Sequence, residues 1–419
     1  MIKALIHKYR TQLGDSAWSI LGLVLMNAVA QIAVYPFLGR SLGEVGYGDM
    51  LYLMAYINIV TVSVGCAANL ARMTAPAEER EQNNGDYHLF LLLVCALGIP
   101  FCLLIRKFGG VQMDDLTTLS YYLLFVMMAF RYYADVAYKI TLNYKRYFLY
   151  YLSISIGYAI GTVLVWKTGT NAWPLAILPG EALGVLFAFA WGKTLRARAL
   201  RPSARMRHVW RVIAIFCVSE GITQLIFNAD RLLLQFLIGS TAVTAYYLAT
   251  LVGKTVSLVS TPLNSVLIGY LVRYDGSLTR RMMKWIVLGS LVAFAVLTGV
   301  CLVGGYILLL WLYPDQLATV GLPLLLMGSL AQVIFFTTGI LTVILIRFAK
   351  QAYQVYINGF YGLCFFGVGI PAALLGGVWG FSLAMVGINF ARWLLAVFLG
   401  WRWVHISERA AAHGSELHE

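Results

Sequence analysis

Charged residues are scarce in this chain of 419 residues, of which they make up only 12%. A soluble protein of this length would carry roughly a quarter charged residues, so a water-soluble globular fold is excluded. The hydrophobic share is 60% and the mean hydropathy is +0.78. The apolar residues stand in long blocks and not in alternating periods. This excludes a transmembrane β-barrel, whose strands alternate over about 10 residues.

The usual signatures of enzymes and metal sites are also missing from the sequence. The six cysteines lie inside apolar blocks without CxxC spacing, so we interpret them as packing residues. His88 stands alone at the end of an apolar block, and neither a P-loop nor a G-x-S-x-G motif occurs. We therefore expect a protein that is not an enzyme, with no cofactor and no metal. An integral membrane glycan polymerase remains an alternative, but such enzymes present a large external loop and every predicted external loop here is short.

Twelve apolar blocks are long enough to cross a hydrocarbon core about 30 Å thick at about 1.5 Å per residue. Because only helices and closed barrels satisfy their backbone in lipid, each block is predicted to be a transmembrane helix. The sequence thus predicts an all-α integral membrane protein with about twelve transmembrane helices. The predicted spans are residues 16–38, 50–70, 88–105, 119–141, 147–167, 173–192, 212–238, 242–271, 285–311, 317–346, 352–374 and 376–400.

Lysine and arginine are distributed unequally between the two sides of this topology. With the N-terminus inside, the inner segments hold 23 of them and the outer loops hold 4. The positive-inside rule then predicts a multi-pass membrane protein with both termini in the cytoplasm. The net charge of +13 reflects this topology, so we expect no nucleic-acid partner.

The longest and most basic connection, residues 193–211, divides the chain into two sets of six spans. We predict an N-terminal lobe at 1–192, a cytoplasmic linker at 193–211, a C-terminal lobe at 212–402 and a cytoplasmic tail at 403–419. Short stretches recur late in each half, where Asn171-Ala172-Trp173 matches Gly377-Val378-Trp379. Two six-helix lobes of equal orientation would be related by a pseudo-two-fold axis along the membrane normal. Chance similarity among apolar segments is the alternative.

Eight ionisable residues lie inside the predicted spans, four basic and four acidic. Each costs a few kcal/mol in lipid unless it is paired or hydrated, which makes each a candidate functional residue. The alternative for any one of them is a structural ion pair. The eight are Arg131, Asp135, Glu181, Glu220, Asp230, Arg231, Lys254 and Arg392.

Polar residues also recur at helical spacing on at least five spans, which predicts a water-filled cavity between them. Interhelical hydrogen bonding is the alternative for any single face. The faces are Asn27, Gln31 and Tyr35 in the first span; Arg131, Asp135 and Lys139 in the fourth; Glu220, Phe227 and Asp230 in the seventh; Tyr247, Thr250, Lys254, Ser257, Thr261 and Asn264 in the eighth; and Ser382, Asn389 and Arg392 in the twelfth.

Two of the cations are predicted to lie at the same depth in the membrane. Arg131 and Lys254 are both about 18 Å from the outer ends of their spans. Cations at this depth are suited to a phosphate group. A competing interpretation pairs Arg131 with Asp135 and Lys254 with Asp230. The predicted substrate-binding residues are Arg131, Lys254, Arg392, Asn27, Gln31, Asn264 and Asn389, and the predicted coupling or ion-pair residues are Asp135, Glu220, Asp230 and Glu181.

Two motifs carry a resemblance to a known family. Leu38-Gly39-Arg40-Ser41-Leu42-Gly43-Glu44-Val45-Gly46-Tyr47-Gly48 is similar to the R-x-L-G-x-x-x-[YF]-G turn of polysaccharide flippases. Asn228-Ala229-Asp230-Arg231-Leu232-Leu233-Leu234, followed by Gly239 and Tyr246, is similar to the D-R-L-L-L…G…Y pattern that opens their second half. The chain therefore resembles, over essentially its whole length, the Wzx-type branch of the multidrug, oligosaccharidyl-lipid and polysaccharide exporter superfamily.

The resemblance implies two lobes around a cavity that opens alternately to each side of the membrane. It implies an undecaprenyl-diphosphate-linked oligosaccharide as cargo, for O-antigen, capsule or exopolysaccharide assembly, with membrane lipid around the polyprenyl tail. H+ or Na+ would be the coupling ion. A cation-coupled multidrug antiporter of the same superfamily is the alternative function.

Overall fold

The computed structural model describes residues 18, 20–76, 78–197, 200–254, 278–349 and 352–415. These residues are helical almost throughout and form no strand. Eight helical stretches among them are long and apolar enough to cross a membrane, and two of these, Ile20–Thr74 and Ala352–Arg409, contain 55 and 58 residues. Each of these two is long enough for two passes at about 1.5 Å per residue. The prediction of an all-helical, multi-pass membrane fold is confirmed.

Divided at their glycine breaks, the described helices correspond in order to the twelve predicted spans. In chain order they are α1 (20–42), α2 (44–74), α3 (Asn84–Phe108), α4 (Asp115–Ala134, continued by Val136–Ile140), α5 (Tyr144–Thr168), α6 (Pro174–Trp191), α7 (Met206–Leu237), α8 (240–254 as described), α9 (Arg280–Leu312), α10 (Leu317–Phe348), α11 (352–376) and α12 (378–415).

A glycine with positive φ lies near each turn that joins an odd-numbered helix to the next even-numbered one. A side chain is strained in this left-handed region, which glycine enters freely. Among the described connections from an even-numbered helix to the next odd-numbered one, only Leu142 has a positive φ, of 52°. The six glycines are Gly43, Gly110, Gly169, Gly239, Gly321 and Gly377.

The chain forms two compact units, Met1–Leu232 and Leu233–Glu419, so α7 continues across the boundary between them. In the second unit, α9, α10 and α12 share a core that includes Phe294, Leu345 and Trp393. The predicted lobe limits around residues 193–211 stay a prediction.

Part of the predicted linker is fixed to the start of α3 in the first unit. Asp86, which is fully buried, accepts hydrogen bonds from the Ser203 backbone nitrogen at 2.8 Å and from its hydroxyl at 2.5 Å. Asn84 donates to the Leu195 carbonyl at 2.8 Å, and the Trp210 indole donates to the Asp86 carbonyl at 3.0 Å. The described part of the linker is therefore packed against this unit.

Candidate functional site in the first unit

A polar pocket of about 230 Å³ lies within the first unit, enclosed by α1, α2, α4, α5 and α6 together with the side chain of Arg231 on α7. We call it the arginine pocket. Apolar lining residues include Met26, Met54 and Met128. Its polar lining residues are Asn27, Gln31, Tyr35, Asn58, Arg131, Tyr132, Tyr158, Glu181 and Arg231.

The charged centre of the arginine pocket is an ion pair between α4 and α6. Arg131 Nε lies 2.7 Å from Glu181 Oε2, and Arg131 Nη2 lies 3.4 Å from Glu181 Oε1. The Tyr158 hydroxyl donates to Glu181 Oε1 at 2.5 Å. The guanidinium carbon of Arg131 lies 3.7 Å from the ring centre of Tyr132, in cation–π contact. Both charges are almost completely buried, so each depends on the other for its stabilisation.

Small residues allow α5 and α6 to pack closely beside the ion pair. A Cβ on Gly157 of α5 would collide with the backbone of Gly180 on α6, and one on Gly161 would collide with the Ala176 carbonyl. The G-x-x-x-G spacings of the two helices therefore serve close packing, as small residues do in membranes. This close approach sets Glu181 of α6 against Tyr158 of α5.

The first span contributes its predicted polar face to the arginine pocket. Asn27, Gln31 and Tyr35 all line it. The segment Ala30–Val34 is a π-helix, whose wider turn is frequent at functional sites. The Asn27 amide donates to the Leu23 carbonyl at 2.8 Å, so its orientation is held by its own helix.

The competing interpretation that pairs Arg131 with Asp135 is wrong, because Arg131 forms its ion pair with Glu181 and Asp135 forms one with Lys139. The helix is interrupted at Asp135, which lies between Asp115–Ala134 and Val136–Ile140. Its Oδ2 atom accepts from the Tyr147 hydroxyl and pairs with Lys139 Nζ, each at 2.9 Å, while Asn69 donates to Oδ1. Asp135 thus belongs to a second polar cluster, closer to the end of the unit that holds the linker.

Two further predicted residues of the first unit, Asp230 and Glu220, are not among the described lining residues of the arginine pocket. Asp230 is buried and accepts from the backbone nitrogen of Arg231 at 2.9 Å, and Glu220 is half-buried on the same helix. Lys254 is half-buried on α8 in the second unit, and Asn264 lies outside the described residues.

Arg392 occupies an aromatic environment in the second unit. Its guanidinium carbon lies 4.5 Å from the ring centre of Phe335 and 5.2 Å from that of Tyr361, and Nη2 donates to Asn358 Oδ1 at 3.1 Å. Within the described residues it forms no ion pair with a carboxylate. Asn389, one turn earlier, donates to the Ala331 carbonyl at 3.2 Å.

Sequence reasoning missed two sets of buried polar residues in the first unit. The predicted second span ends at residue 70 and so leaves Arg72 in a connection, yet α2 continues through Arg72, whose side chain is 1% exposed. It donates to the Tyr133 hydroxyl at 2.6 Å and lies between the rings of Tyr133 and Tyr87. Tyr158, the third member of the Arg131 site, also escaped notice, because tyrosine is common in apolar spans and carries no charge. In the described part of the chain, no three His, Cys, Asp or Glu residues lie close enough to hold a metal ion.

The fold is similar to that of solved membrane transporters, although no family model and no curated protein sequence matches the chain. The inward-facing conformation of a multidrug resistance MATE family transporter of the MOP superfamily has a TM-score of 0.67 and 12% identity, over 93% of this chain and 99% of that one. The lipid II flippase MurJ, in an inward closed conformation, has a TM-score of 0.68 and 12% identity, over 92% of this chain and 87% of that one. The Vibrio cholerae MATE transporter VcmN, in a bent form, has a TM-score of 0.57 and 13% identity, over 93% and 96%.

These likenesses show the fold, a polytopic helical fold that solved transporters also have. The solved neighbours include both multidrug transporters and a lipid flippase. Identity near 12% shows shared architecture alone.

Proposed function

We propose that the protein is a flippase that moves undecaprenyl-diphosphate-linked oligosaccharide units across the bacterial inner membrane by alternating access. The products would serve O-antigen, capsule or exopolysaccharide assembly. The observation that carries the proposal is the buried Arg131–Glu181 pair in a polar pocket of a membrane-spanning fold. The likeness of that fold to a lipid II flippase and the two motifs of the sequence support it.

The arginine pocket suggests how an anionic cargo would be bound and released. A diphosphate offers Arg131 the same planar, charge-assisted contacts that Glu181 now makes. When the cargo takes the guanidinium, the Glu181 carboxylate remains buried beside Tyr158. A buried carboxylate without its cation is costly, so a coupling cation, H+ or Na+, would replace the guanidinium there. Cargo binding at Arg131 would thereby be linked to uptake of that cation beside Glu181.

Reconstitution tests the proposal directly. The purified protein would be placed in vesicles that contain a fluorescent polyprenyl-diphosphate oligosaccharide, and a membrane-impermeant glycosidase would report how much sugar reaches the outer leaflet. We expect the fraction of glycolipid accessible to the glycosidase to be higher than in vesicles without the protein. An equal fraction in both kinds of vesicle, with correctly folded protein, would contradict the proposal.

The second candidate is a cation-coupled multidrug antiporter, favoured by the match to a MATE family transporter over 99% of that chain. The same vesicles discriminate between the two. Efflux of a cationic dye under an imposed H+ or Na+ gradient, without glycolipid translocation, would favour the antiporter. The transporters among the structural neighbours fit a protein that makes and breaks no covalent bond.

A further inference from the structure

The first unit contains a second cavity, of about 700 Å³, at the end opposite to the fixed linker. The linker is bound where α3 begins, and the cavity lies beyond the point where α3 ends, about 37 Å away along a 25-residue helix. We call it the end cavity. Three connections form it: the α1–α2 break, the segment between α3 and α4, and the segment between α5 and α6. Its lining residues include Ser41, Asp49, Gln112, Asp114, Asn171 and Trp173.

The polar groups of the end cavity suit a ligand rich in hydroxyl groups. Gln112 and Asn171 each present an amide that both donates and accepts, and Asp49 and Asp114 present carboxylates that accept. A sugar hydroxyl also donates and accepts, so carboxylates and amides bind two neighbouring hydroxyls at once. The volume falls in the range of about 300–1,000 Å³ that small-molecule sites occupy.

An aromatic side chain adds an apolar surface to the cavity wall. Trp173 lines the cavity while remaining 5% exposed, and its ring lies edge-on to Tyr121 with the ring centres 6.1 Å apart. The ring is therefore rigidly placed. Because only 5% of the side chain is accessible, Trp173 offers the C–H groups of a sugar ring a small apolar contact and not a stacking surface.

The charge of the end cavity selects against acidic sugars. Asp114 begins α4 as its N-cap, with Oδ1 accepting from the Thr117 backbone nitrogen at 3.1 Å. A side-chain hydrogen bond from Thr117 is the main cause that holds the pKa of Asp114 below its ordinary value. Asp114 therefore stays ionised near neutral pH. Asp49 and Asp114 give the described lining an acidic character, and Arg106, which also acts on Asp114, forms its ion pair with Asp115 at 2.7 Å. An acidic lining disfavours uronic acids.

The end cavity and the arginine pocket follow one another along the same helices. On α2, Leu53 lines the end cavity and the next residue, Met54, lines the arginine pocket. On α6, Trp173 at the helix start faces the first, and Ile177, one turn later, faces the second. From Asp49 to Asn58 the two sites are separated by about 14 Å of helix. A cargo with its diphosphate at Arg131 would have its sugars directed towards the end cavity.

We propose that the end cavity is a saccharide subsite that binds neutral hexose or N-acetylhexosamine units of the cargo. The inference rests on the proposed function, since it takes the glycan of the same cargo as its ligand. Recognition of the cargo would then be divided between two sites. Arg131 in the arginine pocket binds the phosphate, and the amides, carboxylates and indole of the end cavity bind the sugar.

Saturation-transfer NMR on the purified full-length protein tests the subsite with free N-acetylglucosamine, galactose and glucuronate. We expect transfer to the two neutral sugars and none to glucuronate at pH 7. Gln112 and Asn171 are exposed, so Gln112→Ala/Asn171→Ala removes cavity hydrogen bonds with little effect on folding. Binding should become about tenfold weaker, as expected for two lost hydrogen bonds. Thr168→Ala, at an exposed position of α5 outside the cavity, should bind as the wild type does.

A charge variant adds a second readout. Asp114→Asn preserves the helix cap, because asparagine caps as well as aspartate, and should allow glucuronate to bind. No transfer to any neutral sugar, or equal transfer in the double alanine variant, would overturn the subsite. Glycan export by the wild type in a deletion strain is measured in parallel. If export succeeds while sugar binding fails, the subsite is wrong and the flippase stands; if export itself fails, the proposed function is wrong.

Discussion

Arg131 on α4 and Glu181 on α6 are fifty positions apart in the chain and form a buried ion pair with Nε 2.7 Å from Oε2. Both charges are removed from solvent. The guanidinium of Arg131 and the carboxylate of Glu181 are each other's ion-pair partner. Single substitutions at this pair therefore change stability as well as any role in transport.

We expect Arg131→Ala or Glu181→Gln to lower the amount of folded protein in the membrane. Breaking a buried pair leaves the remaining charge uncompensated and costs about 3–5 kcal/mol. Quantitative immunoblotting of membranes, with thermal unfolding in detergent, measures the effect. Lys107→Ala, at an exposed cation near the end of α3, is the control and should remain at wild-type abundance. Normal abundance of both pair variants would contradict the buried pair.

Removing the whole polar group separates architecture from transport. In Arg131→Met/Glu181→Leu, with Tyr158→Phe so that its hydroxyl is not left without an acceptor, no buried charge remains. Apolar replacement of a buried pair is often neutral or stabilising, so abundance should recover. Surface glycan in a deletion strain should still be absent. Restored glycan would mean that the pair only holds helices together.

Substitution of Arg392 should lower the amount of folded protein less than substitution of Arg131. Arg392 is 6% exposed, and among the described residues it forms no ion pair with a carboxylate. Arg392→Met removes a desolvated charge, one hydrogen bond to the exposed Asn358 and the contacts with the Phe335 and Tyr361 rings, a cost of about 1–2 kcal/mol. We expect near-wild-type abundance on the same immunoblots. A loss as large as that of Arg131→Ala would show that the guanidinium has a partner essential to the fold.

The contrast between the two arginines shows where sequence reasoning reaches its limit. Hydropathy predicted the twelve spans because lipid thickness and backbone hydrogen bonding leave few alternatives. The partner of Arg131 could not be predicted in this way. Asp135 is one turn away in sequence, but the helix is interrupted there, and the pair is formed by Glu181 on a different helix.

The buried position of Arg72 and the fixed linker escaped prediction for a related reason. Polar residues beside an apolar block look like a connection when only hydropathy is read. In the folded unit the helix continues through Arg72, and tyrosines from other helices cover it. The end cavity is likewise assembled from three separate connections, a proximity that no local pattern encodes.

The Asp135 cluster predicts a difference between two nearby tyrosines. Tyr147 is buried and donates to Asp135 at 2.9 Å, whereas Tyr144, in the same turn, is half-buried. Tyr147→Phe leaves a buried carboxylate short of one donor and should destabilise the protein by about 1–3 kcal/mol. Tyr144→Phe should have little effect. Equal melting temperatures for the two variants would argue against the cluster.

The fixed linker predicts protection from proteolysis. Asp86→Ala removes the acceptor of two hydrogen bonds from Ser203, so trypsin should cut faster after Arg205 and Arg207. Glu79→Ala removes only an ion pair with Arg205, whose side chain is 62% exposed, and exposed pairs contribute little. Its cleavage rate should match that of the wild type. Equal cleavage of both variants would show that Asp86 does not hold the linker.

The charge bias predicts the orientation of both ends of the first unit. In a background without the six native cysteines, Leu200→Cys in the linker should react with an impermeant maleimide only after permeabilisation. Leu200 is 63% exposed, so burial would not hide it. Gln112→Cys in the end cavity should react in intact cells. The reverse pattern would invert the topology.

The glycines with positive φ bear on how the chain enters the membrane during synthesis. Because each lies near a turn from an odd-numbered helix to the next even-numbered one, the nascent protein is organised as a series of helical hairpins with compact tips. Inserting such a hairpin requires the translocation of a small turn and not of a long charged segment. The spans are thus suited to enter the bilayer two at a time, with both ends of each pair remaining on the side of the ribosome.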